Sequence, residues 1–450
     1  MDTEPFRSTQ YVPRPLEIID TTLREGQQTS LLHDHHKYFF TRADKEDILR
    51  ALILYGVKFV ELFAPIVSQQ EKDDFAALKA VRDGLITQKG YTFLLSHVRC
   101  HPKDVEGAIA AGTDGLNFYI GTSNESRTYN HGRDLKAIIA QARPLLEDVR
   151  RNHPQLILRF SGEDAFRTDM DDLFQVYDEI IPYVDRLGLP DTVGVATPSV
   201  VAGRVQLLRQ RYPNVDFEGH FHDDRGFALV NALEAIKSGM RYMNTTICGI
   251  GERSGITSVT ALLFNLHIDH EYDKLEGYHL RRSYPLNVML SDKLKKLVPA
   301  KEPISLTNRT HTAGVHQNAV LRSASAYEAH PLDQFGVSES DILLGPLSGW
   351  NVIHYFLKEI RYFEIDDAIA KEIAAVFKQR VYTLKPDESP EEILVDIAKN
   401  RFGLAQLYLP ESATSQIVQR LDSSQKPPET RASGNGTSPQ PAFGGGKTLR

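Results

Sequence analysis

Between about residue 16 and residue 268 the chain repeats one pattern eight times: a short apolar run rich in β-branched and aromatic residues, a polar turn, then a stretch whose apolar positions recur with helical period. The runs fall at 16–24, 57–64, 91–98, 115–121, 156–163, 186–194, 216–223 and 242–249, and helical stretches follow them, clearest at 44–55, 134–151 and 228–237. Eight strand-then-helix units joined by short connections predict an α/β architecture in which a parallel sheet closes on itself, a TIM-type (β/α)8 barrel. An open doubly wound sheet usually carries a glycine-rich phosphate loop after its first strand, and none follows here. Closure has a positional consequence. Active sites of such barrels lie where strands end, and the polar groups Arg24-Glu25, His97, Arg159-Ser161-Glu163, Thr192 and His220-His222 all stand at predicted strand ends.

After residue 270 the rhythm stops. A mixed segment to about 345 precedes helical patterns at 350–361, 365–378 and 390–402, so the barrel carries a C-terminal mixed and helical extension. The divisions expected are an N-terminal arm at 1–15, the catalytic barrel at 16–270, a linker or lid segment at 271–345, a helical subdomain at 346–420 and a disordered tail at 421–450. The tail is Ser-, Pro- and Gly-rich and cannot bury enough apolar surface to order itself.

Composition narrows the function classes. The net charge of −7 provides no electrostatic footprint for nucleic acid, and no aromatic-basic platform of the single-strand-binding kind is present in the sequence. Cys100 and Cys248 are too few for a disulfide scaffold and lack metal-ligand spacing, which fits a reducing cytoplasm. No run of 18 apolar residues occurs, so neither membrane insertion nor export is expected. Small-molecule partners are favoured.

Candidate chemistry centres on Glu218-Gly219-His220-Phe221-His222-Asp223-Asp224. Alternate strand residues share a face, so His220 and His222 can grip one metal ion, with Glu218 and Asp224 available to orient the rings. Glu25 at another strand end would complete a carboxylate-plus-two-imidazole set that leaves positions open for substrate. Arg159, Ser161 and Glu163 also share a face and point to the barrel axis; an inward arginine needs a partner, either Glu163 or a substrate anion, and the anion is favoured because His97 ends a strand nearby. The connection 29–40 is long for its type and is expected over the catalytic mouth as a lid. Further on, His316 and Tyr327 are, taken singly, ordinary structural residues.

Together these residues resemble the DRE-TIM metal-dependent barrel superfamily, and within it the Claisen-condensing branch of homocitrate and isopropylmalate synthases, most nearly the homocitrate synthase type. The resemblance rests on Leu23-Arg24-Glu25-Gly26, Glu61 with Pro65, His97-Val98-Arg99-Cys100-His101, Ile120-Gly121-Thr122-Ser123, His131-Gly132-Arg133-Asp134, Arg159-Phe160-Ser161-Gly162-Glu163-Asp164, Asp191-Thr192-Val193-Gly194, His220-Phe221-His222, Gly249-Ile250-Gly251-Glu252-Arg253 and Ala313-Gly314-Val315-His316. It implies a divalent cation (Mg, Mn, Zn or Co) on Glu25, His220 and His222, with Arg24 polarising the 2-oxo group of an acceptor. It also implies Gln28, His97, Arg159, Ser161 and Thr192 as substrate contacts, and Glu163, His316 and Tyr327 in proton transfer. Acetyl-CoA would be the co-substrate. In relatives the last two residues come from the partner subunit, which implies a domain-swapped homodimer whose 271–345 segment serves the neighbouring site.

The implied reaction joins acetyl-CoA to a 2-oxo acid bearing a distal anionic group, then hydrolyses the thioester; 2-oxoglutarate is the first expectation. Gln27, Ala64, Ser254 and the long first loop depart from the homocitrate synthase pattern. Phosphonopyruvate (giving 2-phosphonomethylmalate), oxaloacetate (giving citrate), 2-oxoisovalerate and aromatic 2-oxo acids therefore stand as alternative acceptors. A carbon-carbon lyase fits less well, because lyases of the superfamily usually place a cysteine within the glycine-rich loop that Cys248 here precedes. A non-catalytic regulator would usually have lost a ligand or base, and none is missing.

Overall fold

The computed structural model describes residues 15–35, 38–89, 91–328, 330–338 and 341–407. Most of the expected N-terminal arm and the whole expected tail at 421–450 lie outside the described residues.

Eight parallel strands close into a barrel in chain order: β1 (Glu17–Asp20), β2 (Phe59–Phe63), β3 (Phe93–Arg99), β4 (Gly115–Gly121), β5 (Ile157–Glu163), β6 (Arg186–Asp191), β7 (Asp216–Phe221) and β8 (Tyr242–Thr245). The last strand pairs back on the first, with Ile18 opposite Met243 and Asp20 opposite Thr245. A helix follows each strand: α1 (Arg42–Tyr55), α2 (Gln69–Lys89), α3 (Pro102–Ala111), α4 (Leu135–Asn152), α5 (Met170–Ile180), α6 (Pro198–Arg211), α7 (Ala228–Lys237) and α8 (Val259–Ile268). The predicted (β/α)8 barrel is the observed one.

Strand alternation builds the core. Val60, Leu62, Leu94, Val98, Leu116, Phe118, Leu158, Phe160, Leu187 and Leu189 are buried and join the apolar faces of the helices in one cluster. Ile19, Phe59 and Leu95 form a smaller cluster with Phe93, Ile157 and Tyr242 packed against it. Helix boundaries follow local chemistry. Thr41 accepts the Asp44 N–H while the Asp44 carboxylate accepts the Thr41 N–H, a reciprocal cap worth about 1 kcal/mol that starts α1. Gly56 ends the helix at φ 104°, a conformation that costs glycine nothing but strains any side chain.

Three strands stop three or four residues earlier than the apolar pattern suggests, two because a carboxylate takes up the backbone N–H groups and one because the chain turns. The Asp20 carboxylate takes the Thr22 N–H at 2.9 Å, ending β1 four residues before Arg24. Asp191 takes the N–H groups of Val195 and Ala196, ending β6. Cys248 adopts a left-handed conformation, φ 56°, and turns the chain after β8.

The described residues divide into two compact units: those up to Ser305 with Leu332–Val337, and Leu306–Pro331 with those from Ser338 onward. The first unit adds helix α9 (Ser283–Leu294) to the barrel. The second holds β9 (Thr310–His311), α10 (Gly314–Arg322), β10 (Asp341–Ile342), α11 (Trp350–Tyr355), α12 (Asp367–Val381) and α13 (Pro390–Asp396). The predicted helical patterns at 350–361 and 390–402 are helices α11 and α13, each prolonged by a wider π-type turn, to Ile360 and Arg401. Ile353, Phe356, Leu357, Ile373, Phe377 and Leu394 form this unit's own core.

Candidate metal centre and active site

The glutamate of the first strand end meets the paired histidines of the seventh strand. Candidate ligand atoms of Glu25, His220 and His222 all lie within 4.8 Å of one another, and all three residues are buried. Nε2 of His220 stands 3.2 Å from Nε2 of His222, which in turn is 4.0 Å from Glu25 Oε1. Asn244 on β8 faces His220 Nδ1 at 3.1 Å and donates its own amide to Glu218, so its carbonyl is the group left for the ring. That contact puts the proton on Nδ1 and frees the Nε2 lone pair. Glu25 is held from two sides: Oε2 accepts from Arg24 at 2.6 Å, Oε1 accepts the Glu252 N–H at 2.9 Å. Gly251 leaves it room, since a Cβ there would lie 3.0 Å from Oε1.

The electrostatics suit a cation. Burial by itself raises the Glu25 carboxyl, but Arg24, both imidazoles and the Glu252 N–H outweigh it and bring it down to about 2. Burial, with His222 and Arg24 adding, lowers His220 to about 3, and burial also lowers His222. At neutral pH the set is one carboxylate and two uncharged rings, the protonation a divalent ion requires of its ligands. These residues fit a metal.

The surrounding cleft, about 600 Å³, is lined by Arg24, Glu25, Gln28, His97, Arg159, Ser161, Glu163, Thr192, His220 and His222, and also by Phe63, Tyr119, Glu218, Asn244 and Glu252. Every barrel residue expected as a metal ligand, substrate contact or proton carrier thus borders one cavity, whereas Asp224 does not. His316 and Tyr327 belong to the second unit, where their rings stack with centroids 4.0 Å apart.

Three expectations need correction. Arg159 needs neither Glu163 nor a substrate anion for its charge balance, although it still lines the cleft: it donates to Glu218 at 2.9 Å and to Ser161 at 2.7 Å, and reaches Glu61 at 3.3 Å. An arginine this deep had to be neutralised by the barrel itself, and Glu218 serves Arg186 as well. For the same reason Glu218 is not spare to orient the histidines, and Asp224 binds Arg253 at 2.7 Å; Asn244 contacts His220 instead. The expected lid also differs. Leu32 and Phe40 are buried, and Gln27 accepts the Phe40 N–H at 3.3 Å. Of this loop's described residues beyond Gln28 none borders the cleft; Thr29, Ser30 and Leu31 line a separate cavity of about 460 Å³ beside residues 248–258.

The pattern-based reading missed the residues that organise the cleft. Glu61 accepts from Arg24 at 2.8 Å and Asn117 at 2.5 Å, and lies 3.6 Å from His97 Nδ1. A lone carboxylate inside Phe59-Val60-Glu61-Leu62-Phe63 and a lone amide inside Gly115-Leu116-Asn117-Phe118-Tyr119 were the available signals.

With that geometry established, similarity to known proteins becomes decisive. The family model described as HMGL-like matches residues 15–284, and a second, described as homocitrate synthase post-HMGL domain-like, matches residues 306–383. The chain belongs to the HMGL-like family, in its Claisen-condensing branch. It is 35% identical over 398 residues to the mitochondrial homocitrate synthase of Schizosaccharomyces pombe, an alignment covering 85% of this chain and 91% of that protein. It is 34% identical to the cytosolic homocitrate synthase isozyme of Saccharomyces cerevisiae, covering 81% of each. The 2-isopropylmalate synthase 1 of Caldanaerobacter subterraneus subsp. tengcongensis is further away, 29% identical over 79% of this chain and 89% of its own. Among solved structures, hydroxymethylglutaryl-CoA lyase from Pseudomonas aeruginosa shares the barrel, with TM-score 0.53, 19% identity, and 64% of this chain and 96% of that one covered. That likeness concerns fold alone. This member of the family is a homologue of homocitrate synthases along most of its length, and the similarity extends past the barrel into the second unit. Among the described residues no helix is long and apolar enough to cross a membrane.

Proposed function

We propose that the protein condenses acetyl-CoA with a 2-oxo acid bearing a distal anionic group and hydrolyses the resulting thioester, as an acyltransferase of the homocitrate synthase type with 2-oxoglutarate as acceptor. The observation that carries this reading is the convergence of Glu25, His220 and His222 beside Arg24 at the barrel mouth. A divalent cation held there (Mg, Mn, Zn or Co) supplies Lewis acidity for an acceptor carbonyl. Arg24, fixed by Glu25 and Glu61, is assigned to the developing alkoxide, a task for preorganised positive charge. Gln28, His97, Arg159, Ser161 and Thr192 are assigned to the acceptor's carboxylates. Burial, with Asp164 beside it, raises the Glu163 carboxyl above its ordinary range, which suits a group that holds and passes a proton. Glu163, His316 and Tyr327 are assigned to proton transfer: a methyl proton leaves acetyl-CoA, the carbon forms the new bond to the 2-oxo carbon, and water then splits the thioester to release the CoA thiol. We place His316 and Tyr327 in the partner's cleft of a domain-swapped homodimer, with segment 271–345 bridging the protomers and the whole acting in the cytoplasm.

The test is thiol release from acetyl-CoA with 2-oxoglutarate, oxaloacetate, phosphonopyruvate, 2-oxoisovalerate and phenylpyruvate in turn. Release with 2-oxoglutarate is expected, abolished by chelator and restored by a divalent metal. Glu25→Ala should lower it about 100-fold or more, since the loss of even an outer partner of a metal ligand commonly costs 10- to 100-fold. Background rates with every acid would end the condensing assignment.

A further inference from the structure

We infer that Tyr119 sets the length of acceptor the cleft admits, acting as an end wall braced on His97; this deepens the condensing assignment and rests on it. Tyr119 lies on β4 opposite Arg99 of β3 and Ser161 of β5, and it borders the same cavity as the residues assigned to the acceptor's carboxylates. Its ring lies flat on that of His97, centroids 4.2 Å apart and planes 7° from parallel. At its edge His97 faces the fully buried Glu61, Nδ1 standing 3.6 Å away, beyond hydrogen-bond length. One face of the imidazole is therefore closed to any ligand.

Neither ring has an easy way aside. Glu61 is held by Arg24, from the turn after β1, and by Asn117 of β4, which sits two residues before Tyr119 on the same face of that strand. At its near end the acceptor would be fixed by Arg24 and by the cation that Glu25, His220 and His222 can hold, so its reach is bounded by where this stack stands. An extra methylene in the acceptor has to displace a stacked aromatic ring. Discrimination of that kind between substrates one methylene apart is typically about 10- to 200-fold.

The experiment compares kcat/KM for 2-oxoadipate with that for 2-oxoglutarate in the wild type and three variants. Tyr119→Leu removes the wall and should raise the ratio about tenfold or more, chiefly through KM. Tyr119→Trp extends the wall and should lower it, while Tyr119→Phe, which keeps the ring, should stay within about twofold of wild type. Isothermal titration of the two acids, with Mg present and acetyl-CoA absent, should show the same reversal in affinity. If either Tyr119→Leu or Tyr119→Trp is folded by circular dichroism and keeps the wild-type ratio, the end wall is disproved while the condensing assignment stands. A wild type that releases thiol with no 2-oxo acid overturns both.

Discussion

Glu61 shows how much of this active site is a solution to a burial problem. It has no exposed surface, lies in the middle of an apolar strand, and is approached by Arg24, Asn117, Arg159 and His97. Arg24, Arg159 and Arg186 face Glu25, Glu61 and Glu218 in the barrel, so the guanidinium and carboxylate charges balance before any ligand enters. Burial raises the Glu61 carboxyl, but Arg24 and His97 overcome it and hold it well below the ordinary range. Glu61→Gln keeps the shape and removes the charge, and the new amide would turn an N–H toward groups that are themselves donors. Breaking a buried pair from one side costs about 3–5 kcal/mol. Urea unfolding should show a loss of that order, with turnover falling in step; a variant as stable as wild type would mean that Glu61 does not hold the arginines together.

At the scale of elements, the pairing of the first and last strands is reinforced by a short relay beyond their ends. The Asp20 carboxylate fixes the Thr22 N–H, and the Thr22 hydroxyl accepts the Ile247 N–H at 2.9 Å, joining the end of β1 to the turn after β8. Burial lifts the Asp20 carboxyl from 3.8 to about 7 against the pull of Thr22. An acid raised in the fold keeps its proton there while the unfolded chain loses it, so stability is greatest below about pH 4 on this account and falls as pH rises through 7. The loss is on the order of 4 kcal/mol. Asp20→Asn should remove that slope, read as a smaller drop in melting temperature between about pH 5 and about pH 8 than wild type shows; an unchanged slope would assign it elsewhere. The eight elements were legible in the sequence because parallel strands covered by helices leave long apolar runs. Their ends were not, because Asp20, Asp191 and Cys248 act through one or two hydrogen bonds or one backbone angle that no periodicity records. The paired histidines could be found from their spacing, whereas Glu61 and Glu218, the carboxylate partners of Arg159, came from β2 and β7, strands that do not pair with β5 and meet it only across the interior of the closed barrel. Gly188 belongs to that second group: a Cβ there would overlap Ser161 and crowd Arg159 Cδ at 3.3 Å, so β6 carries a glycine where β5 turns its polar residues inward.

The whole molecule poses a different question, because its candidate chemistry is divided between two units. The barrel unit carries the metal-fitting triad, Arg24 and Glu163; the second carries His316 and Tyr327. Within that second unit the pair is well supported. Arg309 and Glu328 form a buried ion pair at 2.9 Å, and Glu328 directly follows Tyr327 in the chain. Yet the pair itself stands at an open surface, with His316 exposed and Tyr327 44% exposed in the single chain. Polar aromatic groups braced from behind and bare in front are what an inserted element presents to a partner. If each barrel is completed by the other protomer, two inactive variants damaged in different units should rescue each other. Glu25→Ala spoils the barrel of one subunit and His316→Ala spoils the inserted element of the other; a mixed dimer then holds one site with both parts intact. Random exchange makes half of the dimers mixed, so co-refolded equal amounts should recover about a quarter of wild-type turnover. Mixtures that exchange subunits by native mass spectrometry yet stay as inactive as either parent would place both parts of the chemistry within a single chain.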